Sequence, residues 1–374
     1  MKRLIYADNA ATTKLDIEAF EAMKPYLLQE YGNASQPYSF ARQPKKAIQE
    51  ARETIASCIG ALPEEIYFTS GGTESDNWAI KGTAFCSHDH RATITTAFEH
   101  HAVLHACEAI ELLGYPVAYM WPDGNGIVSP EILEHYITDN TLLVSVMFAN
   151  NEIGSIQPIK ELCRLAHSHG ALFHTDAVQA IGHINIDVNE LGVDMLSASA
   201  HKFNGAKGVG FLYIRKGTPI TPYADGGAQE HGLRAGTENV AGIVSMATAL
   251  RVNIERLNVN QEHVISLERM LLSNINRSGI HYIRNGGGHT LPGIISLSFD
   301  GKDGESILHR MDLMGICIST GSACDSRDTE ISHVLRAIRI PENLAKGTIR
   351  ISLGKHNTTD DVEAIASALK KILL

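Results

Sequence analysis

Ser197-Ala198-Ser199-Ala200-His201-Lys202-Phe203-Asn204-Gly205 places a lysine, Lys202, directly behind an apolar run and ahead of Gly208-Val209-Gly210. A second stretch upstream, His174-Thr175-Asp176-Ala177-Val178-Gln179, follows the apolar Ala171-Leu172-Phe173 in the same way. Lys202 and Asp176 are 26 residues apart by their numbers, room for one crossover segment and the next strand. Both can therefore reach the carboxyl edge of one sheet, where α/β proteins bind ligands. A lysine after a strand is ordinarily a solvated surface group. An amine and a carboxylate brought together at that edge instead suit pyridoxal phosphate chemistry. There the amine forms a Schiff base with an aldehyde, and the carboxylate keeps the pyridine nitrogen protonated.

A third segment supports that pairing. Ser70-Gly71-Gly72-Thr73-Glu74-Ser75 follows the strand-like Ile66-Tyr67-Phe68 and opens a helical stretch through Trp78 and Ile80. Backbone N–H groups at such a helix start, with the Thr73 hydroxyl, cradle a phosphate. A Gly-Gly turn alone is only a turn; beside Lys202 and Asp176 it completes a set.

Around these segments, short apolar strands alternate with amphipathic helices, the pattern of a mainly parallel sheet covered on both faces. The expected strands are 66–69, 92–95, 117–120, 142–149, 171–174, 195–199 and 210–214. Ile48, Ala51, Ile55 and Ile59 recur at helical spacing, and Gly170 reads as a helix stop. A long helical pattern from Val240 carries the change of domain near residue 256. The expectation is a large α/β domain over 14–256 and a smaller α+β domain built from 1–13 and 257–374. The smaller unit should hold a strand at 294–299, a helix at 306–314, a strand at 349–353 and a closing helix over 360–373 capped by Asp360.

The chain has 374 residues, 44% hydrophobic and 20% charged, as in ordinary globular proteins, and a formal net charge of -10. That charge disfavours a nucleic-acid-binding surface. No apolar run approaches the roughly 20 residues of a membrane span, and the first residues reach Asp8 too early for a secretory signal, so a cytoplasmic protein is expected. The six cysteines form no CxxC pair, which speaks against disulfides and structural zinc.

Several residues carry open alternatives. Gln179 could contact the cofactor's phenolic oxygen or sit at a helix start. In Glu99-His100-His101 an imidazole could stack on a pyridine ring and move protons, or His100, His101 and His105 could ligate a metal. In Asn150-Asn151 one amide could serve the cofactor. Arg350, on an alternating strand, is a candidate carboxylate clamp or a surface arginine. Cys324, in the polar segment 319–328, reads as an exposed, reactive thiol or as an incidental one.

Tyr6-Ala7-Asp8-Asn9-Ala10-Ala11-Thr12-Thr13, Ser70 to Asn77, Asn150 to Gly154, Ser199-Ala200-His201-Lys202, Arg234 to Asn239 and Gly321-Ser322-Ala323-Cys324 stand in this order along the chain. In them the sequence resembles the NifS/IscS-type cysteine desulfurases, of the class V division of fold-type I pyridoxal phosphate enzymes. The resemblance implies an enzyme that converts L-cysteine to L-alanine using pyridoxal 5′-phosphate. Lys202 would be the Schiff-base lysine, Asp176 the ring-nitrogen partner and His100 the stacking acid/base. Gln179 and Asn151 would contact the phenolic oxygen. Gly72, Thr73, Ser199 and His201 would hold the phosphate, with Thr237 supplied across a homodimer. Asn33 and Arg350 would bind the substrate carboxylate. Cys324, in a loop over about 319–332, would take the sulfur as a persulfide and could transiently contact an iron–sulfur cluster. A sulfur-acceptor protein, such as an iron–sulfur scaffold or a tRNA-thiolation enzyme, is the implied partner. His231 departs from the family's common arginine. Rival readings are a selenocysteine lyase, another class V enzyme, and a non-enzymatic sulfur carrier.

Overall fold

A computed structural model describes residues 4–87, 89–320 and 331–374. Its twelve strands are β1 (Ile5–Tyr6), β2 (Ile66–Thr69), β3 (Ala92–Thr96), β4 (Val117–Met120), β5 (Thr141–Ser145), β6 (Leu172–Asp176), β7 (Met195–Ser199), β8 (Gly210–Ile214), β9 (Ile283–Asn285), β10 (Ile294–Ser298), β11 (Ile316–Cys317) and β12 (Thr348–Ser352). Seven form one sheet in the order β2-β8-β7-β6-β5-β3-β4. Strands β3 to β7 run parallel, and β8 lies antiparallel between β7 and β2.

Alternation within β8 shows why both faces need cover. Phe211 and Tyr213 join one buried cluster, with Ile55 and Ile59 of the helix Arg42–Ile59 and with Ala249 and Leu250 of Val240–Glu255. Leu212 and Ile214 join another, with Trp78 and Ile80 of Gly72–Cys86 and Val103 of His101–Glu111. Successive side chains point to opposite faces, so a strand apolar at every position must be sandwiched.

A three-stranded antiparallel sheet, β12-β10-β9, and the parallel pair β1–β11 lie in the remaining part of the chain. Ile5 and Ala7 pack there with Val264, Leu297, Ile349 and Leu369 in a third buried cluster. The chain then passes from β1 over the edge of the large sheet. Thr13 N–H donates to the His201 carbonyl (2.9 Å), and the Lys202 amine to the carbonyls of Ala10 (2.5 Å) and Ala11 (2.9 Å).

Three sequence expectations need correction. Strand β5 ends at Ser145 rather than at 149: Val146 and Phe148 still donate to the His174 (3.1 Å) and Asp176 (2.8 Å) carbonyls of β6, but on the other side the Met147 N–H goes to the Glu99 carboxylate (2.8 Å). Strand β6 runs on through Asp176, which pairs with Ser197; buried polar residues concealed its last turn of pleat. The closing helix spans Thr359–Leu373 and is capped by Thr358, not Asp360: the Thr358 hydroxyl accepts the Asp361 N–H (3.3 Å) and Asp361 answers to the Thr358 N–H (3.0 Å).

Candidate active site

One cleft, with about 1010 Å³ of empty space partly open to solvent, gathers most of the expected residues at the carboxyl ends of the parallel strands. Gly72, Thr73, His100, Asn151, Asp176, Gln179, Ser199, His201, Lys202 and Arg350 all line it. They come from five stretches at the large sheet's edge, at or after the ends of β2, β3, β5, β6 and β7, and from β12. Asn33 and Thr237 are not in the lining, and Cys324 lies outside the described residues.

Asp176 closes β6 and is buried; its Oδ1 accepts the Val178 N–H at 2.9 Å. Burial raises its carboxyl to about 6, against the pull of that hydrogen bond and of the Lys202 charge. Lys202 stands in the short turn of helix that follows β7, so Asp176 and the amine are carried by adjacent parallel strands.

His100 caps the helix His101–Glu111: its Nδ1 accepts the Ala102 N–H at 3.1 Å. Burial, and then the Lys202 charge, hold its imidazole down at about 4. The ring is therefore neutral at pH 7, and because Nδ1 is an acceptor, the proton sits on Nε2. His101 stacks near His105 and His333, with ring centroids 5.2 and 4.6 Å away. Among the described residues no group of three or more His, Cys, Asp or Glu could hold a metal ion.

Gly71 ends the turn after β2 and caps the helix Gly72–Cys86, whose start faces the cleft. A Cβ on Gly72 would lie 2.6 Å from Val178 Cγ2, and one on Gly210 would lie 2.7 Å from Gly71 Cα. Glycine is thus required for the close approach of β8, the turn and the residues after Asp176. Glu74 grips Arg234 through two bonds of 2.7 and 3.1 Å and ties this helix to the segment that bears Thr237. His201 Nδ1 meets the Thr12 hydroxyl at 3.1 Å, and burial lowers its ring to about 4.

The amides divide their work. Asn150 is buried and structural, its Oδ1 taking the N–H groups of Glu152 (2.8 Å) and Ile153 (3.0 Å), whereas Asn151 faces the cleft. Gln179 donates to the Ala10 carbonyl at 2.9 Å. Arg350 is buried and engaged on two sides, by Asp8 Oδ1 (2.8 Å) and by the Asn151 carbonyl (2.9 Å), while its Nε has no partner. Asp8, whose partner lies 342 positions away, and Asp76, Met147 and Val178 in the lining are assigned no role from the sequence.

Residues 5–365 match the family model described as aminotransferase class-V. The chain belongs to that family. It is 48% identical to the cysteine desulfurase IscS of Dictyoglomus turgidum, over 100% of this chain and 95% of that protein. Among solved structures it resembles a NifS-like protein with a TM-score of 0.93 and 39% identity, covering 99% of each chain. It also resembles SspA, solved in complex with cysteine, with a TM-score of 0.84 and 35% identity over 96% of this chain and 100% of that one. The fold is that of the fold-type I pyridoxal phosphate enzymes.

Proposed function

We propose that the chain is a cysteine desulfurase that binds pyridoxal 5′-phosphate in this cleft, releases L-alanine from L-cysteine and receives the sulfur on Cys324 as a persulfide. The observation that carries it is the meeting of Lys202, Asp176, His100 and Arg350 on one cleft wall system, with a helix start at its end. That donor set fits the cofactor. An amine answers its aldehyde, a buried carboxyl its ring nitrogen, and the start of Gly72–Cys86 with Thr73, Ser199 and His201 its phosphate. When bound, the cofactor supplies a carbonyl that captures the substrate amine and a ring that takes up electrons from the substrate carbon.

The chain's own groups do the rest. Asp176 presents a carboxylate to the ring nitrogen. Arg350 accepts the substrate carboxylate, its charge already oriented by Asp8 and the Asn151 carbonyl. Lys202, held over the cleft by two carbonyls, takes the Cα proton once its amine is free. Neutral His100, with Nδ1 committed to the Ala102 N–H, would offer its Nε2–H as a hydrogen-bond donor in the cleft. The Cys324 thiolate would attack the substrate sulfur; an S–S bond forms as the Cβ–S bond breaks, and the electron pair of that bond stays with Cβ, which takes up a proton to become the methyl group of alanine.

The proposal also includes a cytoplasmic homodimer in which Thr237 completes the partner's phosphate site, Asn33 joins Arg350 on the substrate carboxylate, and sulfur is delivered to an iron–sulfur scaffold or a tRNA-thiolation enzyme. Among the described residues no helix is long and apolar enough to cross a membrane. The division into 14–256 and a unit of 1–13 with 257–374 belongs to the same proposal. It is supported by the separate buried cluster that draws Ile5 and Ala7 to residues 264–373, and by the break between helices at Arg256.

Replacing Cys324 with alanine tests the reading. The variant should keep the cofactor's visible absorption and bind cysteine, yet form no persulfide by mass spectrometry. Steady alanine release at an undiminished rate would contradict the assignment and favour a lyase that acts without the thiol.

A further inference from the structure

Asp76 is a carboxyl with no part in the reaction as drawn. It lies on the helix Gly72–Cys86, is buried, and lines the cleft with Asp176. Its Oδ1 has no hydrogen-bond partner. That oxygen lies 3.7 Å from Nε2 of His174, which is two positions before Asp176 on the same face of β6, so the two carboxyls share one end of the cleft. The titratable groups facing Asp76 are Asp176 and His174 from β6 and Glu99 from the turn after β3. His174 offers no positive charge: its Nε2 is 3.7 Å from Asp76 Oδ1, its ring bonds Ser145 (2.8 Å) and Ser197 (3.0 Å), and burial holds it down at about 3.

Two buried carboxylates this close do not both ionise without cations between them. The surroundings decide which one keeps the charge. Asp176 has the Val178 N–H at 2.9 Å and the Lys202 ammonium acting on it. Asp76 has an unserved oxygen and only the uncharged His174 ring beside it.

Resting on the reading of Asp176 as the ring-nitrogen partner, we infer that Asp76 is a positioning residue that stays protonated beside it and thereby confines the pair's one negative charge to Asp176. A charged Asp76 would divide the ring proton's attraction between two sites, one of them unable to reach it. Burial followed by the Asp176 charge drives the Asp76 carboxyl well above the ordinary carboxylate range, in the same direction.

Asp76 ionises in the unfolded chain above the ordinary carboxylate range but not in the fold, so wild type loses stability as pH rises until the folded carboxyl ionises too. Asparagine copies the neutral acid and never ionises. Melting of the cofactor-free protein, wild type against Asp76→Asn, should be followed from pH 5 to 8. The folding equilibrium of Asp76→Asn should gain on wild type as pH rises, by up to about tenfold per pH unit. Parallel curves would mean that Asp76 is ionised in the fold and would overturn the inference. In the cofactor-loaded proteins, the pH midpoint of the visible band should be the same in wild type and Asp76→Asn. A shifted midpoint shows that a charge was removed and overturns it equally. The cofactor-free arm stands whatever reaction the enzyme performs, so it separates a failure here from a failure of the desulfurase reading.

Discussion

At the scale of single residues, the site works by setting charge states through burial. His100 is the clearest case, because its Nδ1 is committed to capping a helix and its ring is desolvated. A histidine whose folded pKa is lowered is neutral well below its usual range and gains a proton only as pH falls towards about 4. An NMR titration of ring-labelled histidines, with His100→Gln to assign the signal, should find this imidazole neutral at pH 6. A midpoint near 6.5 would contradict the account. Lys202, Asp176 and Arg350 were legible from their places after or within apolar strands. Asp76 was not: within Glu74-Ser75-Asp76-Asn77 it reads as a solvated helix face, and only the packing of that helix on β7 and β8 buries it. Asp8 was hidden for another reason, since an ion pair across 342 positions leaves no local trace.

Among elements, the decisive contact is between β8 and the turn after β2. Gly210 pairs with Thr69 on one side and Ser199 on the other, and its missing side chain lets Gly71 come close. A Cβ there would sit 2.4 Å from the Ala198 carbonyl oxygen, which is backbone and cannot swing aside. Gly210→Ala should therefore destabilise the fold by about 1–3 kcal/mol, as overpacking does. It should also weaken cofactor binding by displacing the start of Gly72–Cys86. Urea unfolding and equilibrium dialysis check the two effects, and an unaltered urea midpoint would show that the approach is not tight. The strands β2, β4, β7 and β8 matched their expected bounds because their apolar runs are flanked by turns. The two-residue strands β1 and β11 carried no periodic signal at all, being too short to show one, and their pairing across 311 positions is a product of the small core. The apolar run after Ser145 looked like more strand because hydrophobicity cannot report that a buried glutamate, Glu99, has claimed a backbone N–H.

For the whole molecule, the cleft exists because one chain closes over itself. The segment from Asp8 to Thr13 leaves the small core, crosses the edge of the seven-stranded sheet and gives its carbonyls to Lys202 and Gln179, while Asp8 holds Arg350 of β12. On the proposed reading, substrate carboxylate, cofactor and amine would thus be positioned by parts of the chain that no single segment contains. The alternation of strand and helix announced the large sheet, and the ordered motifs announced the chemistry. What joins them is tertiary, and it becomes visible only when the Ala10 and Ala11 carbonyls are found beside the Lys202 amine. All of this rests on that amine holding the cofactor. Purified protein supplied with pyridoxal 5′-phosphate should show a visible absorption band that borohydride fixes to the peptide containing Lys202, and Lys202→Ala should lose both the band and the attachment. A wild-type protein that gains no such band, or a Lys202→Ala variant that keeps it, would contradict the account.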